Sequence, residues 1–178
     1  MKYLAVASLA SLAACAWLAP PSAVAQGKPH QHGVVKVDVA VEGGQLTVAL
    51  EAPLDSVVGF ERAPRTDAER RTATEALARA REAATLFKPD AAAQCTVAGV
   101  EVQAPVLEAG AKDPKGGHAE MEAVYRFQCA QPQQLKNLQV GLFDAFKRIQ
   151  RIEVQVAAAK GQSKTSLKRP ASTVPLQR

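Results

Sequence analysis

The sequence predicts an α+β fold, in which a mainly antiparallel sheet with one principal helix packed on it forms a single domain over residues 26–178. Two observations lead to this class. Several segments alternate apolar and polar residues, which is typical of strands with one buried face. One long segment rich in Ala, Arg and Glu has helical spacing instead, and hairpin-like turns rather than crossovers join the strands around it.

The first predicted element is a hairpin in the segment GVVKVDVAVEGGQLTVAL. Apolar residues occupy alternate positions on both sides of the turn, at Val35, Val37, Val39, Val41, Leu46, Val48 and Leu50. Gly43 and Gly44 permit the positive φ angles that a tight turn requires. The pattern therefore predicts two antiparallel strands joined by a short turn.

A helix is predicted next, after the proline-bounded loop EAPLDSVVGFERAPR. Thr66 and Glu69 have the spacing of a capping box at the start of DAERRTATEALARAREAATLF. The apolar stripe of this helix consists of Leu77, Ala80, Ala84 and Phe87. We expect the helix to end before Pro89 and to pack closely on a sheet through its small side chains.

The remaining segments predict further strands. CTVAGVEVQ and HAEMEAVYRFQC are separated by the loop EAGAKDPKGG, and the second of them alternates clearly. One of its faces carries Ala119, Met121, Ala123, Tyr125, Phe127 and Cys129, and the other carries His118, Glu120, Glu122 and Arg126. LQVGLFDAF indicates a strand, RIEVQVAAA a helix or a strand, KGQ a turn, and SLKRPASTVPLQR an edge strand followed by a tail.

Residues 1–25 have the pattern of a signal peptide. Lys2 precedes an apolar, Ala-rich run, a PPS break follows, and AVA predicts cleavage after Ala25. An alternative is a lipoprotein cut at LAAC and acylated on Cys15, although the apolar run continues past this cysteine. No later segment contains an uninterrupted run of apolar residues long enough to cross a bilayer. We therefore expect an exported protein without a transmembrane span.

Two cysteines, Cys95 and Cys129, remain after the signal peptide. A pair of cysteines in an oxidising compartment predicts a disulfide. The alternative is that both thiolates are metal ligands.

Composition and motifs exclude several classes of function. The formal net charge is +5, but the basic residues are scattered, and the two Tyr and five Phe are not interleaved with them as in nucleic-acid-binding surfaces. The sequence contains no G-x-S-x-G elbow, H-E-x-x-H helix, P-loop or C-x-x-C motif. We therefore expect neither a nucleic-acid-binding protein nor an enzyme.

The scarce histidines form the candidate site. His30 and His32 stand two residues apart, so on an extended segment both imidazoles would point to the same side. His118 and Glu120 have the same spacing at the start of another predicted strand. If the two strand starts are neighbours, these four side chains provide the ligands that Zn²⁺ requires. The other interpretation is that they are solvated turn and strand residues without a ligand.

The order of these motifs resembles the ZrgA-type family of periplasmic proteins. The resemblance is carried by HQHGVVKVDVAV, LTVALEAPLDSVVGFERAPRT and HAEMEAVYRFQCAQPQQLKNLQVGLFDAF, and covers nearly all of the chain after the signal peptide. It implies a zinc-binding protein that assists a zinc importer. His30 and His32 fall on the family's leading H-x-H-G, and His118 falls where a His-rich loop returns to the sheet. In this chain that loop is EAGAKDPKGG and lacks histidine, so low stoichiometry is expected.

Two hypotheses follow. The first is a periplasmic zinc-binding accessory protein with His30, His32, His118 and Glu120 as ligands and a periplasmic component of a zinc ABC importer as partner. A site of His and carboxylate ligands also accepts Cu²⁺ and Ni²⁺. The second is a cell-envelope interaction module that binds no metal and whose histidines are passive.

Overall fold

The described part of the chain is built on a six-stranded sheet. The computed structural model describes residues 31–114 and 119–177. The strands of this sheet are β1 (Val34–Glu42), β2 (Gln45–Pro53), β4 (Cys95–Gln103), β5 (Glu120–Cys129), β7 (Arg151–Ala158) and β8 (Gly161–Leu167). Their order is β4-β5-β2-β1-β7-β8, and all neighbours are antiparallel except β1 and β7. The prediction of a mainly antiparallel sheet is confirmed.

A smaller sheet was not predicted. Its strands are β3 (Phe87–Pro89), β6 (Asn137–Val140) and β9 (Thr173–Pro175), in the antiparallel order β3-β6-β9. A segment of three residues is too short to show a period of two, so the pattern did not reveal β3. The predicted strand segment LQVGLFDAF is confirmed only in its first part, which lies in β6, because α4 occupies Leu142–Ala145. The segment SLKRPASTVPLQR, predicted as an edge strand followed by a tail, shares only its first two residues with β8 and contains β9; most of β8 was not predicted.

The helices are shorter than predicted. They are α1 (Leu54–Val57), α2 (Asp67–Ala80), α3 (Ala83–Leu86) and α4 (Leu142–Ala145), with short 3-10 turns at Ala91–Ala93, Pro105–Leu107 and Pro132–Gln134. The capping box of Thr66 and Glu69 is confirmed at the start of α2. None of the helices within the described ranges is long and apolar enough to span a membrane.

The prediction of one helix as far as Phe87 was wrong beyond Ala80. Glu82 leaves the helical conformation, with φ −84° and ψ 67°. The buried hydroxyl of Tyr125 donates a hydrogen bond of 2.7 Å to the Ala80 carbonyl, which therefore has a partner outside the helix. Because of this break, Ala84 is exposed rather than part of the buried stripe.

One hydrophobic core joins the sheets and helices. The inward residues of β5 are buried as predicted: Met121, Ala123, Tyr125, Phe127 and Cys129. The buried alanines of α2, Ala73, Ala76 and Ala80, belong to the same cluster. The rings of Phe87 and Tyr125 pack with centroids 4.9 Å apart, which links the smaller sheet to the larger one. The other face of the large sheet carries mostly polar and small side chains.

The predicted disulfide is present. Cys95 at the start of β4 pairs directly with Cys129 at the end of β5, and the two sulfur atoms are bonded. The alternative interpretation of these cysteines as metal ligands is therefore excluded. The predicted signal peptide with Cys15, and the histidines His30 and His118, lie outside the described residues.

Candidate metal site

The candidate site begins at a tight turn of residues 31–34, named here the histidine turn. The N–H of Val34 donates to the Gln31 carbonyl at 3.0 Å, and Gly33 has a φ of +77°. A positive φ at the third residue is the requirement of a type II turn, which glycine meets at little cost. His32 therefore lies in a turn, not on the extended segment that the spacing argument assumed.

Neighbouring elements hold the histidine turn in place. The N–H of Gly33 donates to the hydroxyl of the buried Ser56 in α1 at 2.9 Å. The carbonyl of Gly33 accepts hydrogen bonds from the N–H groups of Gln150 at 2.8 Å and Arg151 at 3.0 Å. The turn is thus fixed between α1 and the start of β7.

The His32 ring lies between two carboxylates. Its Nδ1 is 3.8 Å from Asp55 Oδ2, and its Nε2 is 3.6 Å from Glu61 Oε1. The His32 side chain is 64% exposed, whereas those of Asp55 and Glu61 are 21% and 11% exposed. The imidazole ring is thus accessible to solvent, whereas the two carboxylates beside it are largely buried.

These distances suit a pair of metal ligands, His32 Nε2 and Glu61 Oε1, with the Asp55 carboxylate orienting the imidazole. Two tetrahedral zinc ligands at 2.0 to 2.1 Å from the ion lie about 3.3 Å apart, close to the separation of His32 Nε2 from Glu61 Oε1. A ligating histidine commonly donates its other ring N–H to a carboxylate, and Asp55 is on the correct side of the ring for this. Within the described ranges, no three His, Cys, Asp or Glu side chains form a group that could hold a metal ion.

Glu120, the fourth predicted ligand, begins β5 at the same end of the sheet. The preceding residue, Ala119, accepts a hydrogen bond of 2.9 Å from the N–H of Leu54, the first residue of α1. The side chain of Glu120 is on the outward face near Lys36. A hydrogen bond to Glu51 raises the pKa of Lys36, and the charge of Glu120 adds to this effect.

The loop before β5 is also hydrogen-bonded to the segment that follows Glu61. The Asp113 carboxylate accepts hydrogen bonds from the N–H of Ala63 and from Arg65 Nη2, each at 3.0 Å. These two bonds, the backbone one first, hold the pKa of Asp113 below its usual range. The described end of this loop therefore lies against the segment that follows Glu61.

Sequence reasoning identified His32 but missed Asp55 and Glu61. Asp55 sits inside the segment predicted as a loop, and nothing in its neighbourhood indicated a ligand. Glu61 ends the GFE motif of residues 59–61, which lies in the stretch LTVALEAPLDSVVGFERAPRT that carries the family resemblance. This motif was the feature of the sequence from which Glu61 could have been identified.

The chain matches one protein family. The family described as ZrgA family zinc uptake protein matches residues 29–176. Comparison with curated proteins finds no match. The match gives the chain a role in zinc uptake and, together with the disulfide, indicates an extracytoplasmic protein.

Proposed function

Since the chain belongs to the ZrgA family of zinc uptake proteins, we propose that it is a periplasmic, non-enzymatic accessory protein that binds Zn²⁺ and supports high-affinity zinc import. The observation that carries this proposal is the position of the His32 ring between the carboxylates of Asp55 and Glu61. An imidazole and a recessed carboxylate at this separation are a suitable pair of zinc ligands.

The proposed ligand set combines this pair with the histidines of the sequence prediction. His32 and Glu61 bind the ion, and His30 and His118 complete the coordination, with Glu120 as a further carboxylate at the same end of the sheet. Sequence adjacency supports this set. Residue 30 precedes the histidine turn, and residue 118 precedes Ala119, whose carbonyl is bonded to α1 beside Asp55.

Exposure of the site suits transfer of the ion to another protein. The His32 side chain is 64% exposed, so an incoming ligand from a partner can reach a metal bound to it. The proposed partner is a periplasmic component of a zinc ABC importer.

Titration calorimetry of the mature protein with Zn²⁺ tests the proposal. We expect about one Zn²⁺ per chain, weaker binding in acidic buffer because the ligands bind zinc only when deprotonated, and a large loss of affinity in His32→Ala and Glu61→Gln. Glu101→Gln is the matched control, because this carboxylate lies on β4 at the edge of the large sheet and contacts Arg126 at 2.6 Å rather than a residue of the histidine turn.

Two results would reject the proposal. One is the absence of saturable binding by the wild type, and the other is unchanged binding in both site variants. A partner that co-purifies in EDTA and is unaffected by His32→Ala would support the interaction module without a metal instead.

A further inference from the structure

Arg148, in the loop between α4 and β7, holds one of the two carboxylates at the site. Its Nε donates to the backbone carbonyl of Asp55 at 2.7 Å, and its Nη2 donates to Asp55 Oδ1 at 3.2 Å. The second carboxylate oxygen, Oδ2, faces His32 Nδ1 at 3.8 Å. Arg148 thus fixes both the main chain and the side chain of Asp55 and leaves one oxygen for the histidine.

The same guanidinium lies on the turn that leads to the other carboxylate. A Cβ atom built on Gly59 would be 3.2 Å from Arg148 Cζ and 3.3 Å from its Nε. Gly59 also has a φ of +92°, a conformation that favours glycine. Gly59 precedes Glu61 by two residues. The glycine of the GFE motif thus has a physical explanation, because the absence of a side chain there lets the Arg148 guanidinium pack against the turn that leads to Glu61.

The loop that carries Arg148 is itself anchored. Arg169 Nη1 donates to the Ile149 carbonyl at 2.6 Å. The N–H of Gln150 donates to the carbonyl of Gly33 in the histidine turn at 2.8 Å. One side chain on a fixed loop therefore contacts the Asp55 segment and the Glu61 segment, while the next residues of the loop bind the histidine turn.

Building on the proposed zinc site, we propose that Arg148 is its positioning residue and acts through Asp55 on the His32 ring. With Oδ1 held by Arg148, Oδ2 accepts the Nδ1–H of His32 after a movement of about 1 Å, to ordinary hydrogen-bond distance. Nε2 is then unprotonated and directed toward Glu61, where the metal binds.

The charge of Arg148 has an effect of opposite sign, which makes the proposal testable. A guanidinium near the site repels a divalent cation, so a purely electrostatic role predicts tighter zinc binding when it is removed. The Arg148 side chain is 56% exposed, so solvent screens this repulsion. A positioning role predicts weaker binding instead.

Zinc titration of Arg148→Gln and Arg148→Lys separates the two effects. We expect both variants to lose about 10- to 100-fold in affinity, the usual cost of removing a group that orients a metal ligand. Lysine does not restore binding, because it cannot replace the forked geometry of the guanidinium. Lys147→Gln is the matched control, since it removes the same charge one residue away and contacts Asp144 at 3.4 Å.

A double-mutant cycle tests the route through Asp55. In an Asp55→Ala background, Arg148→Gln should cause no further loss of affinity. Unchanged or tighter binding in Arg148→Gln, or a loss that adds fully to that of Asp55→Ala, would overturn the proposal.

The metal-free protein provides a readout that does not depend on zinc. Nitrogen NMR of the His32 imidazole should show the neutral ring protonated mainly on Nδ1 in the wild type and a mixture of tautomers in Arg148→Gln. The same tautomer in both proteins would refute the positioning role. A wild type that binds no zinc but shows the tautomer change would reject the zinc site and retain the effect of Arg148 on His32.

Discussion

Replacing Gly59 with alanine perturbs the site through its backbone. The new Cβ meets the Arg148 guanidinium at 3.2 to 3.4 Å. The φ of +92° costs a non-glycine residue about 1 to 2 kcal/mol. Displacing the half-exposed guanidinium from Asp55 costs about 1 kcal/mol more, after allowance for solvent screening. The expected destabilisation is therefore about 2 to 3 kcal/mol, or roughly 4 to 12 °C in Tm.

Gly110→Ala is the matched control for this prediction. Gly110 has a φ of +77°, but a Cβ there has no described atom within 4 Å. This variant carries the backbone cost alone, so urea denaturation should show Gly59→Ala to be less stable than Gly110→Ala by about 1 kcal/mol. The difference should disappear when Arg148→Ala is introduced into both glycine variants, because neither then has the guanidinium to displace. Equal stability of the two glycine variants with Arg148 present would refute the reasoning.

Three further predictions concern stability. Tyr125→Phe removes a buried hydrogen bond of 2.7 Å and should cost about 1 to 2 kcal/mol in urea denaturation; a neutral result would show that the hydroxyl is dispensable. Hydrogen bonds from Arg62 and from backbone N–H groups lower the pKa of Glu69 from 4.5 to about 2, so its contribution to stability is complete above pH 4.5 and is lost as the pH falls through 2. Thermal melts of Glu69→Gln should accordingly show a smaller decline over this range than the wild type, and parallel declines would contradict the assignment. Replacing Cys95 and Cys129 with alanine removes a disulfide between residues 34 positions apart and should lower the free energy of unfolding by about 3 to 4 kcal/mol. An unchanged midpoint in urea denaturation would show that the disulfide does not stabilise the fold.

The long strands could be predicted because their burial alternates along the sequence. β4 has the predicted bounds, and the hairpin of β1 and β2 follows the predicted turn. The end of α2 could not be predicted in this way. The residues beyond Ala80 favour helix locally, but the break involves Tyr125, a distant side chain that gives the Ala80 carbonyl another partner.

The candidate site was predictable only in part for a similar reason. His32 was apparent because histidine is rare in this chain. Asp55 and Glu61 reach the ring through the packing of α1 and the following turn against the histidine turn, which no local pattern records. Arg148 is more distant still, and its role depends on the absence of a side chain at Gly59.

The most direct test of the account is a crystal structure of the mature protein grown with Zn²⁺, with the ion located by anomalous scattering at the zinc edge. We expect zinc at 2.0 to 2.1 Å from His32 Nε2 and at 2.0 to 2.2 Å from a carboxylate oxygen of Glu61, with Asp55 on the opposite side of the ring. A zinc ion bound elsewhere, with His32 outside its coordination sphere, would contradict it.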